Sequence, residues 1–282
     1  MNELEWIDFL RQKNKSKKNL LVGIGDDCAL AQLGRERFLL KSDLFIEGVH
    51  FKRNNISLET VGERAVSRVL SDFAACGGSP KLIGISVGMP KNLKSTGLKK
   101  ILDGVLRSAK KYKFSLVGGD TSRADKLFLD VWGLGVTDKF IARSTAKAGD
   151  YIFITGCLGQ RGLSDNFIPR LKESKMLSDK FKVNSMIDIS DGFIFDLYRL
   201  LKASKKGAIL EKEAIPTTQG IKDMYRGEDY ELLFTISKKE KNIDFLKKRF
   251  YYVGRITSGK YGYWLKDKNK LKRVKIKGYT HF

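Results

Sequence analysis

Two hydrophobic periods alternate along this chain, and that alternation constrains its fold more than any other feature. Residues 37–44, 81–87 and 128–136 are short apolar runs, the last with the every-second-residue pattern of a half-buried strand. Residues 57–75 instead carry Val61, Ala65, Val69 and Phe73 at the spacing of a helix with one buried stripe. Gly77-Gly78-Ser79-Pro80 ends that helix, because glycine tolerates left-handed backbone and proline cannot continue the hydrogen-bond ladder. Residues 96–112 repeat the helical pattern, and 114–117 form a strand running into Gly118-Gly119-Asp120-Thr121. A break covers 138–150. Beyond it come strands at 151–155, 186–188, 229–236 and 251–256, a helix at 192–204, and a polar connecting stretch at 164–183. Residues 5–13 make a short amphipathic helix. Strands interleaved with helices in two halves predict a mixed α/β (α+β type) architecture, without internal repeats or a Pro-rich linker.

Composition narrows the function classes. With 282 residues and 42% hydrophobic content the chain can bury a sizeable core. It has no apolar run of the roughly 20 residues needed to cross a bilayer. Glu3, Glu5 and Asp8 stand where a signal peptide would be basic, so a cytoplasmic protein with no membrane partner is expected. Cys28, Cys76 and Cys157 are isolated, which argues against a disulfide framework or a zinc site. The net charge of +22 invites a nucleic-acid reading. The lysines are spread, however, and the densest runs, 13–18 and 268–277, hold no aromatics for base stacking. A solvated basic surface that attracts phosphorylated small molecules is the expectation, with no nucleic-acid partner.

Residues 254–260 match a Walker phosphate loop as far as Lys260, but Tyr261 follows where Ser or Thr should hold magnesium. What comes next alternates like a strand and opens no helix, so a plain hairpin turn is expected there. Gly23-Ile24-Gly25 lacks the third glycine of a dinucleotide fingerprint, since Cys28 occupies that place. The informative set is dispersed: Asp26, Asp27, Asp43, Asp72, Asp120, Asp188 and Asp191, mostly at the ends of apolar strands or on Gly-rich turns. Ligand sites of α/β sheets form at strand ends. Carboxylates gathered there repel one another unless cations bind them, and magnesium favours carboxylate and phosphate oxygens. Any one of these aspartates alone would read as a cap or turn residue.

Six segments then appear in order: Gly23-Ile24-Gly25-Asp26-Asp27-Cys28-Ala29, Glu47-Gly48-Val49-His50-Phe51, Leu70-Ser71-Asp72-Phe73-Ala74-Ala75, Gly118-Gly119-Asp120-Thr121, Ile187-Asp188-Ile189-Ser190-Asp191-Gly192 and Gly227-Glu228-Asp229-Tyr230-Glu231-Leu232. With the ending Lys277-Gly278-Tyr279-Thr280-His281-Phe282, they resemble the thiamine-monophosphate kinases of the aminoimidazole ribonucleotide synthetase-like superfamily. Lys41, Leu44, Val69 and Arg226 depart from that pattern. The resemblance implies an N-terminal domain, residues 1–138, that binds ATP and magnesium and dimerises through its sheet, followed by a C-terminal α/β domain, 139–282. It implies several magnesium ions held by Asp27, Asp43, Asp72, Asp120 and Asp188, with Ser42 adding its hydroxyl or carbonyl oxygen and Asp191 a further ligand. Asp43, Asp72, Asp120 and Asp188 form the implied catalytic set. Gly119, Asp120, Arg143, Ser190 and Tyr112 are implied at ATP, and His50, Glu228 and Tyr279 at thiamine monophosphate.

The implied reaction moves the γ-phosphoryl group of ATP onto the phosphate of thiamine monophosphate. That acceptor is already ionised, its second pKa being about 6, so no general base is needed. The obstacle is bringing two polyanions together, which explains a site rich in magnesium ligands. Other ATP-using enzymes of the superfamily, a selenophosphate synthetase or an amidine-forming ligase, are the nearest alternatives, and a basic nucleic-acid-binding protein is the more remote one. A selenophosphate synthetase would present a reactive Cys and a Lys in a Gly-rich N-terminal segment, whereas here Cys28 follows two aspartates.

Overall fold

The computed structural model describes residues 1–14, 18–160 and 167–279. The first half contains α1 (Glu3–Lys13), β1 (Leu20–Val22), β2 (Ala29–Leu33), β3 (Glu36–Ile46), α2 (Leu58–Ala75), β4 (Ser79–Met89), α3 (Ser95–Tyr112), β5 (Ser115–Leu116), β6 (Thr121–Arg123) and β7 (Phe128–Val136). Its strands form a seven-stranded sheet in the order β1-β2-β3-β7-β4-β5, with β6 also paired to β4. Only the pairings of β4 with β5 and β6 are parallel. The second half contains β8 (Asp150–Ile154), α4 (Leu171–Lys180), β9 (Val183–Asp188), α5 (Phe193–Ser204), β10 (Lys206–Glu211), β11 (Leu232–Ser237), α6 (Ile243–Arg249), β12 (Tyr251–Ser258), β13 (Tyr263–Asp267) and β14 (Lys270–Arg273). These strands make a second seven-stranded sheet, β14-β13-β10-β12-β8-β11-β9. The fold is the mixed α/β arrangement expected from the two hydrophobic periods.

Helix α2 joins the halves. Ser57 caps it by accepting the Thr60 N–H at 3.1 Å, and the Gly77 turn ends it with φ +71°. It is buried along most of its length. Val61, Val69, Leu70 and Phe73 pack into the first core with Leu39, Ile83 and Val131. Ala74 and Ala75 instead enter the core under the second sheet, beside Phe153, Leu232 and Phe234. Against its outer side α3 comes very close. A Cβ built on Gly104 would lie 1.9 Å from the Glu59 carbonyl oxygen, and one on Gly62 would lie 2.2 Å from that of Ile101.

Strand alternation decides what β3 offers to each side. Leu39, Lys41, Asp43 and Phe45 face α2, with Leu39 and Phe45 fully buried. Leu40 and Leu44 face outward, 43% and 50% exposed, alongside Leu82 of β4 and Trp132 of β7.

Two sequence expectations need correction. Residues 171–180 are a helix, not a polar connection; those at 164–166 lie outside the described residues. Its buried stripe is only Ser174 and Leu177, with Leu171 half-buried, so a short stripe containing a serine hid the period. Ser174 fits because its Oγ donates to the Ala74 carbonyl at 2.6 Å. The Walker-like stretch is no hairpin either: β12 runs to Ser258 and turns at Gly259–Tyr261, but β12 and β13 lie on opposite sides of β10 rather than pairing with each other. After that single 3₁₀ turn the chain enters β13 and not an α-helix, as expected.

Candidate active site

Carboxylates from four elements meet between the halves. Asp43 comes from β3, Asp72 from α2, Asp188 from the last position of β9, and Asp27 from the turn before β2. One carboxylate oxygen from each of Asp27, Asp72 and Asp188 lies within 4.8 Å of the others, and all three residues are buried. Burial, then the neighbouring Asp27 charge, pushes the Asp188 carboxyl up to about 7, while Ser71 Oγ, donating at 2.6 Å, opposes the rise. Asp72 is pushed up by burial and by the Asp43 and Asp188 charges, against the pull of Lys41. Asp27 accepts from Arg143 Nη2 at 2.5 Å through Oδ1, while its Oδ2 is buried without a hydrogen-bond partner. Such groups are costly in a low-dielectric pocket unless cations join them. Hard oxygen donors so gathered, one of them orphaned, fit magnesium.

The carboxylates line a cavity of about 680 Å³ that also takes in Arg143, Ser190 and Asp191. A smaller cavity of about 210 Å³ adjoins it, lined by His50, Glu228 and Tyr279 together with Val49 and Arg226. Arg68, Ser190 and Asp191 line both. The wall between them is built locally. Asp196, in the first turn of α5, accepts the N–H groups of Ser190, Asp191 and Gly192 through one oxygen, at 3.0, 2.9 and 3.1 Å. Glu228 is held at φ +68°, with its N–H on the Ser190 carbonyl at 2.7 Å. A non-glycine residue held left-handed stores strain that its surroundings must enforce. Here Arg64 and Arg68, one helical turn apart on α2, hold the Glu228 carboxylate at 3.2 and 3.4 Å.

The expected residues therefore divide. Asp27, Asp43, Asp72, Asp188, Asp191, Arg143 and Ser190 line the large cavity, and His50, Glu228 and Tyr279 the small one. Ser42 lines the large cavity too, but its Oγ donates to Asp130 at 2.6 Å from the outward side of β3, so its hydroxyl is turned away from the carboxylates. Asp191 meets Arg199 at 2.5 Å. Tyr112, Gly119 and Asp120 line neither cavity. Asp120 is exposed beyond the opposite edge of the first sheet, where its carbonyl accepts the Val87 N–H at 2.8 Å. Asp43 pairs with Val131, Val131 with Ile85, and the Ile85 N–H bonds to Gly118. At ~4.8 Å per strand step that puts the Gly118–Asp120 turn on the order of 14 Å from Asp43.

Sequence reasoning missed Lys41, Arg68 and Asp196 as parts of the site. Lys41 Nζ lies 3.1 Å from Asp72 Oδ1 and 3.6 Å from Asp43 Oδ1. Arg68 reaches Asp43 at 3.8 Å and donates to the Tyr230 hydroxyl. Both were findable. Lys41 is two positions from Asp43 on a strand, and Arg68 four from Asp72 on a helix, so each shares a face with a singled-out aspartate.

Residues 25–137 match the family described as AIR synthase related protein, N-terminal domain. Over the whole chain the sequence is 36% identical to thiamine-monophosphate kinase of Buchnera aphidicola subsp. Schizaphis graminum, covering 99% of that relative. It is 30% identical to the Aquifex aeolicus enzyme of the same name, over 100% of this chain and 98% of that one. The solved complex of AaThiL with AMPPCP and TMP superposes with a TM-score of 0.86 at 30% identity, covering 100% of this chain and 97% of that one. With the fold and full-length relatives in agreement, the chain belongs to the thiamine-monophosphate kinase family.

Proposed function

We propose that this chain transfers the γ-phosphoryl group of ATP onto the phosphate of thiamine monophosphate, giving thiamine diphosphate and ADP. The observation that carries this reading is the pair of adjoining cavities with Arg68, Ser190 and Asp191 in their common wall. The carboxylate-rich cavity takes the triphosphate, and the smaller one takes the thiamine. Thiamine is a cation, which suits the Glu228 carboxylate and the Tyr279 ring. AaThiL, similar over the full chain, was solved with an ATP analogue and TMP, which supports the pairing of substrates.

Asp27, Asp43, Asp72 and Asp188, with Asp191, are the residues that would hold magnesium. Bound there, magnesium supplies the positive charge that lets two polyanions approach. Arg143 and Ser190 are placed for the nucleotide, and Arg68 stands where the acceptor phosphate enters from the smaller cavity. No side chain need act as a base. His50 fits that account: its Nδ1 is engaged in accepting the Ile46 N–H at 3.0 Å. The test is incubation with ATP, magnesium and thiamine monophosphate; no ADP above an ATP-only control would overturn the assignment. Glu228→Gln should raise the KM for thiamine monophosphate about 10- to 100-fold, the worth of a charge-assisted contact, and leave the KM for ATP unchanged. Equal effects on both would remove Glu228 from the thiamine side.

Residues 1–138 and 139–282 are proposed as two domains, in a cytoplasmic enzyme; among the described residues no helix is long and apolar enough to cross a membrane. The exposed Leu40, Leu44, Leu82 and Trp132 support a homodimer through the outer face of the first sheet. In that dimer the partner's copy of the turn carrying Gly119 and Asp120, with Tyr112 behind it, completes the nucleotide site. Asp120→Asn and Asp188→Asn homodimers should both be inactive, while a mixed dimer of the two should regain one working site. An inactive mixed dimer would place Asp120 elsewhere.

A further inference from the structure

Among the described residues lining the large cavity, Lys41 is the lysine whose ammonium meets the buried carboxylates, whereas Lys202 pairs with Asp8. Alternation along β3 sets Lys41 on the same side as Asp43. Its ammonium bridges two of the carboxylates, 3.1 Å from Asp72 and 3.6 Å from Asp43. The other cations have different places. Arg143 covers Asp26 and Asp27, and Arg68 reaches Asp43 from the side of Glu228. Among the described residues, the ion pair made by Asp72 is with Lys41. An ammonium is a compact point charge with three donors, unlike a planar guanidinium, and so resembles a small cation in how it sits between carboxylates.

We infer that the Lys41 ammonium is a built-in counter-cation that takes the place of one divalent ion between Asp43 and Asp72. Asp27 Oδ2, orphaned and buried, and Asp188 are left to draw metal on the other side of the cluster. The chain then loads one divalent ion fewer than its carboxylates could accommodate, and part of the positive charge at the site is independent of magnesium supply. The inference rests on the metal reading above.

The experiment counts ions directly. Wild type, Lys41→Ser and Lys41→Met are purified in magnesium, stripped, and titrated with Mn²⁺ alone while free Mn²⁺ is followed by electron paramagnetic resonance. Each variant should bind one more Mn²⁺ per chain than the wild type, and its melting temperature should rise more on adding magnesium. Lys41→Met keeps the packing of the stem, so it reports on charge where the serine variant leaves a gap. Wild-type binding with no additional ion in either variant would overturn the inference and leave the metal reading standing. Failure of all three proteins to bind Mn²⁺ would sink both. Should neither variant fold even in magnesium, the inference also falls, since a metal in the ammonium's place must restore the balance of charge.

Discussion

Asp188→Asn should cut turnover by about 10³-fold or more while making the metal-free protein more stable. The two effects have one cause. Asp188 is buried at the end of β9, where burial and the Asp27 charge hold its carboxyl at a pKa of about 7. In the absence of metal this group is a liability, because a buried carboxylate beside two others is poorly compensated. Asparagine has nearly the same shape and can still accept from Ser71, so the fold keeps its packing and loses the repulsion. A gain on the order of 1–3 kcal/mol is expected in chelator, read as a higher denaturation midpoint. With magnesium and both substrates the same substitution removes a ligand from the site where charge develops, a loss of the size seen when a principal electrostatic group is deleted. Melting curves with and without magnesium, beside turnover, check both halves. A variant that is less stable in chelator would show Asp188 to be a structural residue, and near-wild-type turnover would remove it from the active site.

The second large effect is on stability, far from the carboxylates. Gly104→Ala should destabilise the protein by about 3 kcal/mol, at the upper end of overpacking penalties. The new Cβ would lie 1.9 Å from the Glu59 carbonyl oxygen, which is backbone and cannot rotate away. Helix α3 would have to move off α2. Because α2 carries Arg64, Arg68, Ser71 and Asp72, movement there also disturbs the site, and turnover of the folded protein should fall. Gly62→Ala, whose Cβ meets the Ile101 carbonyl at 2.2 Å, probes the same seam. The double variant should cost less than the sum, since one separation of the helices relieves both clashes. Urea denaturation of the three variants tests this. A cost under about 0.5 kcal/mol for Gly104→Ala, the size of an ordinary surface change, would mean that the helices are not in backbone contact.

Much of the fold was legible in the sequence because periodicity is a local property. The short apolar run at 37–44 placed a strand that proves to be Glu36–Ile46, and helical spacing at 57–75 placed α2 almost to the residue. Helix α4 escaped because its stripe is short and includes Ser174, whose burial depends on the Ala74 carbonyl of a distant element. The β12–β13 connection escaped because strand pairing is not local: β10, some fifty residues earlier, lies between them.

The site divides in the same way. The sequence by itself singled out the aspartates, of which only Asp188 proves to end a strand, and grouped His50, Glu228 and Tyr279 by family resemblance. It also set the side of β3 on which Asp43 lies, since a strand's faces follow from its two-residue period. Only the tertiary structure decided which aspartates meet. Asp72 and Asp188 come together because α2 packs against both sheets, and Asp120 stays apart because β7 and β4 stand between its turn and β3. It also turned the Ser42 hydroxyl outward and seated Lys41 among the carboxylates. A side chain's direction relative to its own element is written in a few neighbouring residues. Its distance from another element's side chain is set by the burial of apolar surface between segments far apart in the chain, and that is fixed only when the whole core closes.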